Sequence, residues 1–371
     1  MSKQNNNTPR LRFPGFTGEW VEKKLGESVG SFKTGKLDAN AMVEGGEYRF
    51  YTCAKDFSFI DSYAFEGDCI MIAGNGAHLG YVHHYNGKFN AYQRTYVLSD
   101  FNCDSNYLEC CIRRFLPDRI RQEKKEGNMP YIVLSTLTDM LLYFPPSPEE
   151  QKKIADCLFE MDNLISAQAQ KVEALKDQKK GMMQQLFPQK GETTPRLRFP
   201  GFTEEWKERK FSDCFEIGSG RDYKHLQQGE IPVYGSGGYM CSVNDYLYDG
   251  DSACIGRKGT INKPIFISGK FWTVDTLFYT YNYVETSAYF IYLLFQNIDW
   301  MKHNEAGGVP SLSKSIIYNI SVYLPSPAEQ QKIANCLSEL DDLIASETKQ
   351  LEALKEHKKG LMQQLFPQPA K

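Results

Sequence analysis

Basic and amide side chains gather at two places in the chain where their chemistry suits contact with a nucleic acid. Between residues 113 and 126 six basic residues stand against three acidic ones, and between residues 218 and 263 basic residues lie beside glycine-rich turns. Backbone amides of such turns approach phosphates, lysine and arginine add charge, and amide or guanidinium forks pair with base edges in the major groove. Taken singly, each side chain is more often a solvated surface charge than a contact. The candidate contact residues are Asn75, His78, Arg94, Arg113, Arg114, Arg121, Lys124, Lys125, Asn128, Arg221, Tyr223, Lys224, Ser236, Arg257, Lys258 and Lys263.

The sequence lacks the motifs of the common enzyme classes. Gly35-Lys36 is not preceded by a phosphate-binding loop, Gly218-Ser219-Gly220 lacks the third glycine of a dinucleotide fingerprint, and no Asn-Pro-Pro-Tyr/Phe methyltransferase motif occurs. The histidines have no metal-ligand spacing, and none of the ten cysteines forms a C-x-x-C pair. These patterns therefore assign no catalytic residue, no metal ligand and no cofactor-binding residue in the chain.

Composition sets limits on the class of protein and on how it could bind a nucleic acid. The 371 residues carry a formal net charge of −3, with 24% charged and 41% hydrophobic residues, which is ordinary for a globular protein of two or three domains. This charge requires any nucleic-acid contact to use local basic patches or charge from partner subunits. No apolar run approaches the roughly 18 residues that span a bilayer, and the start of the chain lacks the apolar segment of a signal peptide. We expect a cytoplasmic protein without membrane contact, with a loose N-terminal tail and reduced cysteines.

Two blocks of sequence occur twice and must position the candidate residues. Residues 8–20 match residues 194–206 at 12 of 13 positions, and residues 148–189 match residues 327–368 without gaps at 26 of 42. The stretches between the blocks, residues 21–144 and 207–324, resemble each other only weakly. A constant frame with variable inserts indicates two different recognition surfaces held in one geometry.

The longer repeated block is predicted to be a helix in both copies. Ser147 and Ser326 are suited to cap the helices, each with Pro at the next position and Glu at the third helical position, as in a capping box. Pro188 and Pro367 end them, so each runs about 39 residues or roughly 58 Å. Apolar residues at alternating steps of four and three predict a coiled-coil seam. The seam residues are Ile154, Leu158, Met161, Ile165, Val172, Leu175, Leu186, Ile333, Leu337, Leu340, Ile344, Leu351, Leu354 and Leu365.

Matching seams in one chain predict that the two helices pack on each other. Antiparallel packing is favoured over parallel packing, because it sets Gln168 near Lys358 and Lys179 near Glu347, and it relates the halves by a pseudo-two-fold axis. A coiled-coil arm for homodimerisation is an alternative, but it would need only one copy of the helix.

The inserts are predicted to be compact α+β domains that share one scaffold. Gly67-Asp68 corresponds to Gly250-Asp251, Gly76 to Gly259, and the prolines 130 and 310 end matching segments. The fold class is therefore α+β, with two globular domains separated by two long antiparallel coiled-coil helices. The expected division is a tail with the first short repeat at 1–20, a first recognition domain at 21–146, a central helix at 147–190, a linker with the second short repeat at 191–206, a second recognition domain at 207–325 and a C-terminal helix at 326–371.

The repeated segments together resemble the specificity subunit of type I restriction-modification systems. The resemblance covers almost the whole chain and lies in the LRFPGF segments at 11–16 and 197–202, the helix starts at 146–155 and 325–334, and the K-K-G-x-M-Q-Q-L-F-P helix ends at 179–188 and 358–367. It implies that each recognition domain reads half of a bipartite site in double-stranded DNA, while the helices set the spacer and hold two methyltransferase subunits. It also implies that S-adenosylmethionine, ATP and Mg²⁺ act in the methyltransferase and restriction subunits, and that this chain is not itself catalytic. The alternatives are a protein-interaction scaffold with two binding domains on a coiled-coil spacer, and an enzyme in its own right.

Overall fold

The chain forms two compact units, each built around one recognition domain. The computed structural model describes residues 7–123, 130–189 and 191–368; the tail expected at the N-terminus falls largely outside them, as do the candidates Lys124, Lys125 and Asn128. The first unit comprises the residues before Gln170 together with those from Lys349 onward, and the second comprises Gln170–Thr348.

The first unit folds into small β-sheets backed by helices. Its strands are β1 (Val21–Lys24), β2 (Val29–Thr34), β3 (Tyr48–Tyr51), β4 (Ser58–Ile60), β5 (Asp68–Ala73), β6 (Val82–Asn86), β7 (Phe89–Ala91), β8 (Thr95–Phe101) and β9 (Leu141–Phe144). Its short helices are α1 (Leu25–Ser28), α2 (Ser105–Glu123) and α3 (Leu134–Thr138), with a 3₁₀ turn at Ala39–Ala41. The main sheet has the order β2-β8-β5-β6, and a second sheet has the order β4-β3-β7. The first and last strands of the domain, β1 and β9, pair with each other.

The second unit repeats this plan. Its strands are β10 (Lys207–Lys210), β11 (Glu216–Ser219), β12 (Gln228–Gly235), β13 (Gly238–Val243), β14 (Tyr248–Asp249), β15 (Ser252–Gly256), β16 (Ile265–Ile267), β17 (Lys270–Thr273), β18 (Leu277–Tyr281) and β19 (Ser321–Leu324). Its short helices are α5 (Ala288–Asn297) and α6 (Lys314–Tyr318), with 3₁₀ turns at Phe211–Asp213 and Trp300–His303. The main sheet, β11-β18-β15-β16, matches the order of the first domain, and β10 pairs with β19. Two α+β domains on one scaffold are thus confirmed; the exact domain boundaries remain a prediction.

The two long helices match the sequence prediction closely. They are α4 (Pro148–Leu186, 39 residues) and α7 (Pro327–Gln364, 38 residues). The hydroxyl of Ser147 accepts a hydrogen bond from the backbone N–H of Glu150 at 3.3 Å, as an N-cap does. The other half of the predicted capping box is wrong for α4, because the Glu150 carboxylate is bound to Arg12 instead.

The helices run antiparallel where they pack within each unit. In the first unit the start of α4 (Ile154, Leu158) shares a core with Leu365 near the end of α7; in the second, the end of α4 (Leu186) shares a core with Ile333 near the start of α7. The predicted seam residues are all buried or half-buried, as a packed seam requires, and the seam as a whole stays a prediction.

The predicted register between the helices is wrong by about two turns. Lys179 pairs with Asp341 at 2.7 Å, six positions before Glu347, and Lys358 pairs with Asp162, six positions before Gln168. Glu347 instead accepts a hydrogen bond from Lys171 at 2.7 Å. Carboxylates that the sequence pattern did not single out therefore set the register.

The short repeated segment has the same structural role in both units. Arg12 donates two hydrogen bonds to Glu150 at 2.7 and 2.8 Å, and Arg198 donates two to Glu329 at 2.9 and 2.6 Å. Both carboxylates are fully buried, so each charge depends on its arginine for compensation.

A repeated aromatic contact supports the same junction. Trp20 meets Phe366 edge-on at 6.4 Å between ring centroids, and Trp206 meets Phe187 edge-on at 6.2 Å. The short segments therefore anchor each recognition domain to the long helices.

Candidate nucleic-acid interface

A cleft at one edge of the main sheet of the first domain brings two of the predicted contact residues together. The first cleft, about 450 Å³ in volume, is lined by Thr34, Gly74, Asn75, Gln93, Arg94, Tyr96, Tyr131 and Ile132. Asn75 lies just past the end of β5 and Arg94 just before β8, and the two strands are antiparallel neighbours in the sheet. Since antiparallel neighbours place the end of one strand beside the start of the other, these side chains reach the same opening.

The second domain has a cleft with two more of the predicted contact residues. The second cleft, about 800 Å³ in volume, is lined by Ser219, Arg257, Lys258, Phe278, Ala306, Val309, Ser311, Leu312, Ser313 and Lys314. Arg257 and Lys258 follow β15, which occupies the place in its sheet that β5 occupies in the first domain.

The two clefts have the same backbone frame. The N–H of Gly74 donates to the carbonyl of Arg94 at 2.8 Å, as the N–H of Arg257 does to the carbonyl of Thr276. In both domains a segment that follows a repeated proline closes the cleft. In the first domain the N–H of Ile132 donates to the carbonyl of Gly74 at 3.0 Å, and Asn75 forms a β-bridge with Tyr131. In the second domain the N–H of Leu312 donates to the carbonyl of Arg257 at 2.9 Å, and Lys258 forms a β-bridge with Ser311.

The backbone frame requires a glycine at one position in each domain, although the neighbouring side chains differ. Gly76 and Gly259 have φ of 83° and 90°, a region that other residues rarely adopt. Their N–H groups donate to the carbonyls of Pro130 and Pro310 at 3.3 and 2.8 Å. The predicted correspondence of these two glycines is confirmed.

The side chains that fill the frame differ between the clefts. Five matched pairs line or border them: Gly74 and Arg257, Asn75 and Lys258, Gln93 and Asp275, Arg94 and Thr276, Tyr131 and Ser311. The backbone frame is therefore the same in the two domains, while the side-chain chemistry of the clefts differs.

Several of these side chains are held in place by contacts inside their own domain. The Gln93 amide donates to Asp38 at 2.6 Å, one Arg257 N–H donates to the carbonyl of Asp275 at 3.2 Å, and the Lys314 ammonium donates to the carbonyl of Ile217 at 2.7 Å. The exposed ammonium of Lys258 and the exposed guanidinium of Arg94 have no ion-pair partner in the described part of the chain. Positive charge thus remains available in both clefts.

The other arginine candidates of the first domain lie on α2 and are paired with acids of the same helix. Arg113 contacts Glu109 at 2.7 Å, while Arg114 and Arg121 both contact Asp118. Burial alone would raise the pKa of Glu109, but the hydrogen bond from His84 and the charge of Arg113 outweigh it and lower that pKa. These arginines do not line the first cleft, and their role in binding remains a prediction.

The remaining candidates lie outside the cleft linings. His78 lies in the turn after Gly76, and Lys263 is an exposed residue between β15 and β16. Ser236 lies beside the second cleft, since its N–H donates to the Thr276 hydroxyl at 3.4 Å. Arg221, Tyr223 and Lys224 lie in the loop after β11, where the Trp272 indole donates to the carbonyl of Arg221 at 2.8 Å.

Most of the residues that line the clefts were missed by sequence reasoning, among them the polar residues Gln93, Tyr131, Ser311 and Lys314. A signal for two of them was available, because Tyr131 and Ser311 directly follow the prolines that end matching segments. Within the described residues no group of three His, Cys, Asp or Glu side chains is arranged to hold a metal ion. No helix among them is long and apolar enough to cross a membrane.

Comparisons with known proteins agree on one family. The family model for the type I restriction modification DNA specificity domain matches residues 17–177 and 203–356. The chain is 32% identical over 220 residues to the type I restriction enzyme EcoDI specificity subunit of Escherichia coli, covering 58% of this chain and 46% of that protein. It is 25% identical over 283 residues to the MjaVIII specificity subunit of Methanocaldococcus jannaschii, covering 67% and 66%. The chain thus spans about half to two thirds of the length of these relatives.

A solved structure shares the fold over almost the whole chain. The type I restriction-modification S subunit from M. genitalium superimposes with a TM-score of 0.72 at 19% identity, covering 98% of this chain and 100% of that one. A chain from a structure that describes complex assembly and conformational transition of the type I system gives a TM-score of 0.55 at 13% identity, covering 98% and 100%.

Proposed function

The chain belongs to the type I restriction-modification DNA specificity family, and from this premise we propose that it reads a bipartite site in double-stranded DNA, one half through each cleft. The observation that carries the proposal is the pair of clefts with one backbone frame and different side chains. A frame held by backbone hydrogen bonds keeps its geometry when the side chains vary. Each domain can therefore acquire its own base preference without changing how it meets the duplex.

The chemistry of the clefts suits the edges of base pairs. Asn75 and Gln93 carry amide groups that can donate and accept, while Arg94, Arg257 and Lys258 carry donors that match acceptors on bases and phosphates. Arg113, Arg114, Arg121, Arg221, Lys224 and Lys263 would add phosphate contacts, which position the duplex without reading it.

The long helices would set the spacer between the half-sites and hold two methyltransferase subunits. Leu164 on α4 and Leu343 on α7 are equivalent in the repeat and are 55% and 40% exposed, although both belong to helices with a buried seam. An exposed leucine at the same place in both copies suits one partner subunit on each helix. The chain would itself carry out no reaction. S-adenosylmethionine would supply the methyl group in the modification subunits, and ATP and Mg²⁺ would serve the restriction subunits.

The experiment that tests this function exchanges one domain and reads the methylated motif. Residues 21–144 are replaced by the corresponding segment of a specificity subunit with a different motif, and the complex with its methyltransferase partner is expressed in cells whose DNA is then sequenced for methylated adenine. One half of the motif should change and the other should stay the same. The matched control replaces residues 207–324 and should change the opposite half; a change in both halves from either exchange contradicts independent readers.

A protein-interaction scaffold is the rival function, and the salt dependence of duplex binding separates the two. Neutralising phosphates releases counterions, so the affinity of the assembled complex for its duplex should fall steeply as salt rises. If the complex does not bind DNA, or if its affinity for DNA does not change with salt, the scaffold function is favoured.

A further inference from the structure

The second cleft carries the chemistry to recognise one kind of base pair. We propose that Arg257 and Lys258 read a guanine and that Asp275 reads its cytosine partner, so that the second domain selects a G·C pair at the position facing its cleft. This assignment rests on the proposed function, and it adds the residues that contact the bases and the base pair that they select.

The two cations match the edge of guanine. Guanine presents two acceptors in the major groove, N7 and O6, whereas adenine presents one acceptor and one donor. Arg257 and Lys258 are adjacent, both are exposed, and both carry only donors on their charged groups. An adenine at this place would set its amino group against a cation, so guanine is favoured over adenine.

Arg257 lines the second cleft and is tethered there. One of its N–H groups donates to the backbone carbonyl of Asp275 at 3.2 Å, and its own backbone is fixed at both ends by Thr276 and Leu312. A guanidinium has five N–H donors, so four remain for a ligand after this contact. The tether reduces the entropy lost when the fork pairs with a base.

Asp275 borders the second cleft rather than lining it, and its carboxylate would complete the pattern. It is exposed, and its backbone carbonyl, rather than its carboxylate, contacts Arg257. A carboxylate accepts from the amino group of cytosine, which lies across the pair from guanine. The matched residue of the first cleft is Gln93, whose amide is held by Asp38 at 2.6 Å, so the first domain lacks this set of charges and should have a different preference.

The test installs the residues of the first cleft at the matched positions of the second. The double variant Arg257→Gly and Lys258→Asn is prepared in the full complex with the methyltransferase partner. Binding is then measured to duplexes in which each G·C pair of the second half-site is changed in turn to A·T. The wild-type complex should lose about 10- to 100-fold in affinity at one G·C position, as a good bidentate contact implies. The double variant should lose that discrimination while keeping full discrimination at the first half-site.

Controls separate the possible failures. Lys263→Asn removes an exposed cation outside the cleft lining, and it should weaken all duplexes equally without changing the preferred base. Retained discrimination at the first half-site shows that the variant complex is folded and assembled. A second half-site without a G·C pair, or a double variant with the wild-type preference, overturns the assignment and leaves the proposed function intact. A wild-type complex with no sequence preference overturns both.

Discussion

Removal of the Arg12 guanidinium should destabilise the first unit strongly. The Glu150 side chain is 1% exposed and receives two hydrogen bonds from Arg12, which also donates to the carbonyls of Thr17 and Gly18 at 2.8 and 2.7 Å. The variant Arg12→Met leaves a buried carboxylate without its counter-charge, and breaking a buried pair in this way costs about 3–5 kcal/mol. The free energy of unfolding of the first unit should fall by that amount.

The double variant Arg12→Met with Glu150→Met separates the charge effect from lost packing. It removes both charges and keeps much of the side-chain volume, and such replacements are often neutral or stabilising. Only the two backbone contacts of Arg12 are lost, at about 1 kcal/mol each. The double variant should therefore be more stable than the single variant.

Hydrogen exchange under native conditions measures the two units separately. Amides of β5 report on the core of the first unit and amides of β15 on the second, and the slowest amides reflect global opening. Arg12→Met should lower the protection of β5 and leave β15 unchanged, while Arg198→Met should do the reverse. Arg10→Met, at an exposed neighbouring position, serves as the control and should change stability by less than about 0.5 kcal/mol. A loss below about 1 kcal/mol in Arg12→Met, or a double variant no better than the single one, refutes the buried-pair argument.

Two further predictions concern the long helices. Lengthening both α4 and α7 by one turn, about 5.4 Å, should change the spacer of the methylated motif by a base pair or more, because base pairs are stacked about 3.4 Å apart; an unchanged motif contradicts the spacer role. Leu164→Asp and Leu343→Asp should each weaken binding of one methyltransferase subunit, measured as subunit stoichiometry by native mass spectrometry, and the double variant should lose both. Lys176→Asp, at an exposed position on α4, is the control and should keep two subunits bound.

The sequence predicted the helices well because their signals are local. Proline, serine caps and a heptad seam fix where α4 and α7 begin and end, and the structure agrees within a few residues. The register was missed because sliding one seam past another by about a heptad keeps most apolar positions opposed. Asp162 and Asp341 decide the register through their ion pairs with Lys358 and Lys179. Both lie beside the seam, and a single sequence does not distinguish them from the other acidic residues of the helices.

The clefts were only partly predictable because their linings come from distant parts of the chain. The first cleft combines Thr34, Asn75, Arg94 and Tyr131, which meet only once β2, β5 and β8 have paired. Residue type selected Asn75 and Arg94, but residue type together with the clustering of basic residues also selected Arg113 and Arg114, which the fold pairs with acids on α2. Tertiary pairing, rather than residue type, decides which charges remain available.

The duplication of the short segment follows from the direction of the helices. In the second unit the N–H of Leu197 donates to the carbonyl of Gln185 at the end of α4, while the next residue, Arg198, binds Glu329 at the start of α7. In the first unit Leu11 and Arg12 make the same contacts with Gln364 at the end of α7 and Glu150 at the start of α4.

Two adjacent residues can contact the end of one helix and the start of the other only if those termini lie side by side. In a parallel pair the start of one helix would lie roughly 58 Å, the length of about 39 residues, from the end of its partner. The antiparallel pair offers this junction twice, once in each unit, and a chain that anchors a domain at both junctions needs two copies of the segment.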